Sequence, residues 1–409
     1  MFPVRKTVLA ATVFVVSATL AAPSVVAIDA SIELPTNTIS ILQNRLKSKY
    51  FTDATSLTVI DASNGELVFT ENADKQLMPA STMKLITAVV ALKTLGSSFR
   101  FQTKAVWRES DSTLYLVGGG DPQLKTSHLK ELAKKVLKNL GKVSATIKIK
   151  SDTSYFPEHS LAPGWAANQV PGEVRPLSAL AVNDQETKTP AKNAVKLFGT
   201  LLSQLGYKTV YKGDGVAAGT QVATVSGYPV SQTIKKMLED SNNNFAETLF
   251  RASTKESGLA ATWANSRNHA TTVLQSLNLD TSKITLIDGS GLSRQNRMTT
   301  SFLTRLLWVA RSNGQPELNK LLDNHMLPIG GKSGTLRTRY DDAKTKCARG
   351  LVEAKTGGLR DVTSLAGYAR SKNGSIAVFA MIVNKVKSRS ALTPVRSAID
   401  WTISGLAGC

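Results

Sequence analysis

The stretch PASTMKLITAVVALKTLG, Pro79 to Gly96, constrains the fold more than any other part of the chain. Leu85, Ala88, Val89, Leu92 and Leu95 recur at helical spacing, and Gly96 supplies a stop. Met83, Ile86 and Val90 put apolar side chains on the remaining sides, and a helix that is apolar nearly all round has to be enclosed by other elements. Ser81 and Lys84 sit in its first turn, where residues three apart share one face. A helix N-terminus favours developing negative charge, and a lysine buried there loses affinity for its proton and can take one from serine. The spacing alone means little, because Ser127 and Lys130 repeat it inside an amphipathic stretch.

With 409 residues the chain can supply such an enclosure, and 42% hydrophobic with 20% charged residues argues for a globular protein over a disordered or multi-span one. Its N-terminus reads as an address. Arg5 and Lys6 precede an apolar run from Thr7 to Ala21, followed by Pro23 and a small-residue site ending at Ala27. Residues 1–27 are expected to be a signal peptide cleaved after Ala27, the alternative being an uncleaved anchor. Export to a periplasmic or other extracytoplasmic cell-wall space would place Cys347 and Cys409 in an oxidising compartment. One disulfide is then expected, worth about 4 kcal/mol in the chain-entropy model, with a free Cys409 as the alternative.

The formal charge of +20 includes only two charges, Arg5 and Lys6, from the leader. An exported basic protein meets anionic envelope polymers and lipid headgroups, so the charge is read as peripheral retention at the envelope surface or as plain solubility. Lys130, Lys134, Lys135 and Lys138 lie mostly opposite Leu129, Leu132, Ala133 and Val136, which makes a solvated helix face and not a nucleic-acid patch. His128, His159, His269 and His325 show no metal-ligand spacing, and no cofactor is expected.

Strands are expected at Leu57–Asp61 and Glu66–Thr70, and again at Gly350–Lys355, Val362–Arg370 and Ser375–Val383, with a closing helix over Leu392–Ser404. Strands at both ends with helices between them suggest one sheet. Between Phe99 and Val222 the texture changes to strands at Ala105–Trp107, Leu114–Val117 and Val143–Ile149 alternating with helices. The expected architecture is α+β: an antiparallel sheet flanked by helices, built from residues 28–98 and 223–409, with 99–222 inserted as an α/β module.

Two further short motifs follow the Ser81/Lys84 pair. Ser241-Asn242-Asn243 falls between two helical stretches, where a loop can present side chains to a cleft. Lys355-Thr356-Gly357 ends the apolar strand GLVEA, and Gly357-Gly358 allow another strand to approach closely. Lys332-Ser333-Gly334 competes with it but sits in a glycine-rich loop without strand periodicity.

In this order the three motifs resemble those of penicillin-recognising serine enzymes. With the long insertion and the segments YLVGGGDPQL, SNNNFAETL, DGSGLSR and GTLR, the chain is similar to the class C penicillin-binding proteins, the D-alanyl-D-alanine carboxypeptidase/endopeptidase family. That resemblance implies the β-lactamase/transpeptidase-like fold and a serine DD-peptidase that cleaves D-Ala-D-Xaa bonds of peptidoglycan stem peptides through an acyl-enzyme, with β-lactam antibiotics as acylating inhibitors. It implies that Ser81 is the nucleophile and Lys84 its base, that Ser241 relays protons to the leaving amine, and that Asn243 binds the substrate amide. Lys355 would hold the charge network and the substrate carboxylate end, with Thr356, Gly357 and Gly358 binding substrate. The N–H groups of Ser81 and Gly358 would form the oxyanion hole, at about 3 kcal/mol per donor.

Relatives usually carry threonine or serine where this chain has Gly358, which implies a shift from carboxypeptidase toward endopeptidase action. DGSGLSR, Asp288 to Arg294, is expected to buttress the cleft. Two other functions share the same motifs. A serine β-lactamase would need a deacylating Glu-x-x-x-Asn, which does not occur between Asn244 and Ala354, and a silent wall-binding homologue would form no acyl adduct.

Overall fold

The computed structural model describes residues 37–156, 161–183, 187–312, 314–323 and 325–409; the leader, its Ala27 cleavage site and His159 lie outside them. Helix α1 (Thr38–Leu46) and the hairpin β1 (Thr55–Asp61) and β2 (Leu67–Glu71) lead into α2 (Lys84–Leu95). Then come β3 (Arg100–Arg108), β4 (Thr113–Val117), α3 (Thr126–Leu140), β5 (Ile147–Asp152), α4 (Pro190–Gln204), β6 (Thr209–Asp214) and β7 (Thr220–Pro229). Five helices follow, α5 (Val230–Glu239), α6 (Asn243–Glu256), α7 (Trp263–Ser276), α8 (Thr300–Arg311) and α9 (Pro316–Asp323). The chain ends with β8 (Val352–Leu359), β9 (Val362–Arg370), β10 (Ile376–Val383) and α10 (Leu392–Ser404).

The first sheet is antiparallel, in the order β2-β1-β10-β9-β8, so strands from the two ends of the chain meet where β1 pairs with β10. Both faces are covered, as the α+β reading expects. Along β10, Val378, Ala380 and Ile382 pack into the core that holds α2, whereas Phe379, Met381 and Val383 pack against Val395, Ile399 and Ile403 of α10. That is why IAVFAMIV is apolar without alternation. Helix α2 is buried at every residue from Lys84 to Leu92, and each of its Leu, Ile and Val side chains contributes about 1.5–3 kcal/mol by leaving water.

The second sheet, β6-β5-β4-β3-β7, is mixed: β4, β5 and β6 are parallel, while β3 is antiparallel to both β4 and β7. The structure differs here from the expected boundaries. The division at 222 falls inside β7, whose pairing with β3 runs from Trp107↔Thr220 to Arg100↔Pro229. Inward positions of β7 are the small Ala223 and Val225 among polar residues, which gives a weak periodic signal. Strand β5 begins at Ile147 and not at Val143.

Cys347 and Cys409 are bonded, with Cα atoms 6.0 Å apart across 62 positions. Arg45 of α1 also donates to the carbonyl oxygens of Trp401 and Cys409, so the C-terminus is held twice. Replacing Cys347 by serine is expected to lower the unfolding free energy by about 2–4 kcal/mol in urea titration. An unchanged midpoint would mean that the Arg45 contacts suffice.

Candidate active site

The segment before α2 is clamped on both sides. Met78 donates from N–H to Asn384 Oδ1 (2.8 Å) and accepts from Asn384 Nδ2 (3.1 Å), and the Pro79 carbonyl accepts from Ser364 Oγ of β9 (2.7 Å). Ala80 is held at φ 49°, a left-handed conformation costly for a residue with a Cβ. Its carbonyl lies against Gly291, where any side chain would collide. Ser81 follows in a 3-10 turn, Ala80–Met83, that runs into α2, one turn shorter of regular helix than the sequence predicts.

Lys84 is fully buried. Its Nζ lies 3.0 Å from Ser81 Oγ, 2.7 Å from Asn243 Oδ1 and 2.8 Å from the Ser290 carbonyl oxygen. Burial pushes its pKa down to about 7, against the charges of Glu247 and Asp288. A neutral amine has two hydrogens and one lone pair. Asn243 and Ser290 present only oxygens and take the two hydrogens, which leaves the lone pair directed at the Ser81 hydroxyl.

Ser241 occupies the turn between α5 and α6 at φ 57°, and Asn243 is the first residue of α6. Asn242 caps that helix, its Oδ1 accepting from Phe245 N–H at 3.0 Å. Lys355, also fully buried, donates to Ser241 Oγ (2.9 Å) and to the Thr356 carbonyl (2.7 Å). Burial, and then the nearby Lys84, lower its pKa well below the ordinary lysine value. The motifs therefore form one connected site, Ser81 and Lys84 joined to Asn243, and Lys355 to Ser241.

Strand β8 is the outer strand of its sheet. Arg370 N–H donates to the Leu351 carbonyl, and the alternation of an antiparallel ladder then turns the N–H groups of Ala354, Thr356 and Gly358 away from β9. That of Ala354 goes to the Pro328 carbonyl, whereas Gly358 is exposed on the open edge. Gly357 has to be glycine, since a Cβ there would stand 2.8 Å from Pro79 O and 3.1 Å from Ser81 N. Thr356 Oγ1 meets Thr335 Oγ1 at 2.8 Å.

Several supporting groups lie outside the three short motifs. Glu247, fully buried one turn after Asn243, accepts the N–H groups of Gly289 (3.0 Å) and Ser290 (2.7 Å) and so aims the Ser290 carbonyl at Lys84. Burial, and then Asp288, push its pKa up to about 8. Asp288 accepts from Gly291 N–H, Ser293 N–H, Asn296 Nδ2 and Trp165 Nε1. The segment Asp288 to Arg294 thus buttresses the site through a main-chain carbonyl. By contrast Lys332 is exposed, Ser127 and Lys130 lie on the exposed face of α3, and among the described residues no group of His, Cys, Asp and Glu is arranged to hold a metal.

The sequence matches the D-Ala-D-Ala carboxypeptidase 3 (S13) family over residues 41–188 and 169–405. The chain belongs to this family. It is accordingly a serine-type DD-peptidase, a hydrolase of the D-Ala-D-Ala carboxypeptidase class. Among relatives of the S13 protein, the carboxypeptidase DacB of Mycolicibacterium smegmatis is 29% identical over 376 residues, 86% of this chain and 80% of that one. A crystal structure of penicillin binding protein 4 (dacB) from Haemophilus influenzae shares the fold, with a TM-score of 0.75 at 20% identity, covering 88% of this chain and 98% of that chain. The same protein complexed with a novel beta-lactam gives a TM-score of 0.67 at 21% identity, covering 89% and 98%.

A base with a pKa of about 7 is inactive once protonated, so acylation of Ser81 in the S13 protein should fall as pH drops through about 7 and level off above it. Stopped-flow acylation by a chromogenic β-lactam from pH 5 to 9 measures this. A profile flat to pH 5 would show that Lys84 is not the proton acceptor.

Proposed function

We propose that Ser81 Oγ attacks the carbonyl carbon of a D-Ala-D-Xaa bond in peptidoglycan stem peptides while the Lys84 amine takes its proton. The oxyanion forms between the N–H groups of Ser81 and Gly358. Collapse of this intermediate breaks the C–N bond, and the proton held by Lys84 passes to the leaving amine through Ser241, itself hydrogen-bonded to Lys355, which returns Lys84 to the neutral amine. Water then attacks the acyl carbon, giving a proton to the Lys84 amine, and the C–Oγ bond breaks as that proton passes to Ser81 Oγ and restores the hydroxyl. The remaining hydrogen of Asn243 Nδ2 binds the substrate amide, and the substrate backbone lies along the open edge of β8. One observation carries this reading: the buried Lys84 amine, 3.0 Å from Ser81 Oγ, has two carbonyl-type oxygens for its hydrogens and the serine for its lone pair.

β-Lactams present a strained amide to the same serine, and the β-lactam complex of the Haemophilus protein supports their action here as acylating inhibitors. The family's activity implies an extracytoplasmic position at the cell wall. Cleavage of a signal peptide after Ala27 and peripheral contact with an anionic envelope surface complete the proposal, supported by the apolar run from Thr7 and a formal charge of +20.

Purified protein should be labelled covalently by a fluorescent penicillin, and Ser81→Ala should abolish the label. Lys84→Met, which keeps the apolar stem, should still fold and cut the acylation rate by about 10²–10⁴-fold. No label on the wild type, or label retained by Ser81→Ala, would overturn the mechanism.

A further inference from the structure

Beyond the open end of β8 lies a cleft of about 680 Å³ bordered by Gly358, Arg294, Arg360, Arg389 and Arg396, with Glu173 on its far rim. Arg294 is neutralised there by a two-pronged pair with Asp361, at 2.7 and 2.9 Å. Arg360, Arg389 and Arg396 have no ion pair among the described residues. Partial burial, then the charges of Arg339 and Arg389, lower the pKa of Arg396, so like charge crowds it without relief. Gly358 makes room for it: a Cβ at this position would come within 3.1 Å of Arg396 Nη2.

The DD-peptidase reading fixes where substrate charge must fall. A scissile carbonyl held between Ser81 and Gly358 N–H places the carboxylate carbon of the leaving residue three bonds away, about 4.3 Å along the covalent path. Both lysines of the site have pKa values lowered by burial, which makes either a poor permanent counter-charge. An arginine stays charged at any physiological pH and offers a planar fork that fits a carboxylate.

We propose that Arg396 of α10, reaching across the side-chain-free Gly358, binds the free carboxylate of the leaving D-residue and makes this chain select substrates that carry one. The inference rests on the DD-peptidase reading. The third position after Lys355 is thus a gap filled by a guanidinium, and Arg389 beside it adds to the positive field.

The test uses two peptides that differ in one group, an N-acylated stem peptide ending in D-Ala-D-Ala and the same peptide ending in D-alaninamide. In the wild type, kcat/KM should favour the free carboxylate. Arg396→Ala should reduce that preference at least ten-fold, mainly through KM, and Arg396→Lys should keep part of it. Gly358→Thr in the Arg396→Ala background should restore part of the preference through its hydroxyl, whereas Gly358→Thr alone should weaken it by displacing the guanidinium. An unchanged preference in Arg396→Ala, or an equal fall for both peptides, would overturn the proposal while leaving the peptidase reading intact. A wild type that cleaves neither peptide and takes no penicillin label would overturn that reading, and the role of Arg396 with it.

Discussion

The site depends on one amine kept out of water. An ammonium moved into a protein interior either finds full compensation or gives up its proton, and Lys84 is placed to give it up. Its three partners come from three distant parts of the chain: Ser81 before α2, Asn243 at the start of α6, and Ser290 in the turn that Glu247 and Asp288 hold. The desolvation that fits Lys84 to the proposed role of base is unfavourable for folding. The apolar length of α2 behind it offsets this, since Leu85, Ile86, Val89, Val90 and Leu92 are all buried on the same element. The proposed base and the core are therefore consecutive residues of one helix.

What can be read in the sequence follows from which groups leave a pattern. An all-round apolar helix, an unalternated strand such as β10 and short motifs in chain order are side-chain signals, and α2, β8, β9, β10 and α10 are all expected near their observed places. The motif order demands that Ser81, Lys84, Ser241, Asn243 and Lys355 converge. How they do so is a property of the tertiary fold, because it depends on β1 pairing with β10. Groups that act through the main chain leave no trace. The Ser290 carbonyl and the Glu173 carbonyl could be any residue's, and the need for a turn at φ 57° does not single out Ser241. Glu247 falls inside the segment SNNNFAETL, but nothing in the sequence shows that it is buried and holds the Ser290 turn, and Arg396 is one more charge in a basic chain.

The open edge of β8 is a hazard in most sheets, where unpaired N–H and C=O groups invite another strand. Here its first part is closed by Pro328 and Gly330, which bond to Ala354 and Val352, and only the portion beside Ser81 stays free. The proposed substrate pairing is thus confined to about the length of a dipeptide next to Ser81. Glycine at 357 lets that portion touch the Ser81 turn, and glycine at 358 exposes the strand end to α10. Two adjacent glycines consequently serve different contacts on opposite faces of one strand.

The inserted region is tied into this chemistry through its long segment between β5 and α4. Trp165 donates to Asp288, Arg175 N–H donates to Asn244 Oδ1, and the Glu173 carbonyl accepts from Asn243 Nδ2 at 2.9 Å. The last contact fixes which way the Asn243 amide faces. With Nδ2 held by Glu173, Oδ1 points at Lys84 and can only accept. Were the amide reversed, its N–H would compete with the Ser81 hydroxyl for the single lone pair of the amine, and the base would be blocked by its own neighbour. In the proposed mechanism a carbonyl supplied from the second sheet's connection therefore helps decide whether Lys84 can act on Ser81, which ties the insertion to the site.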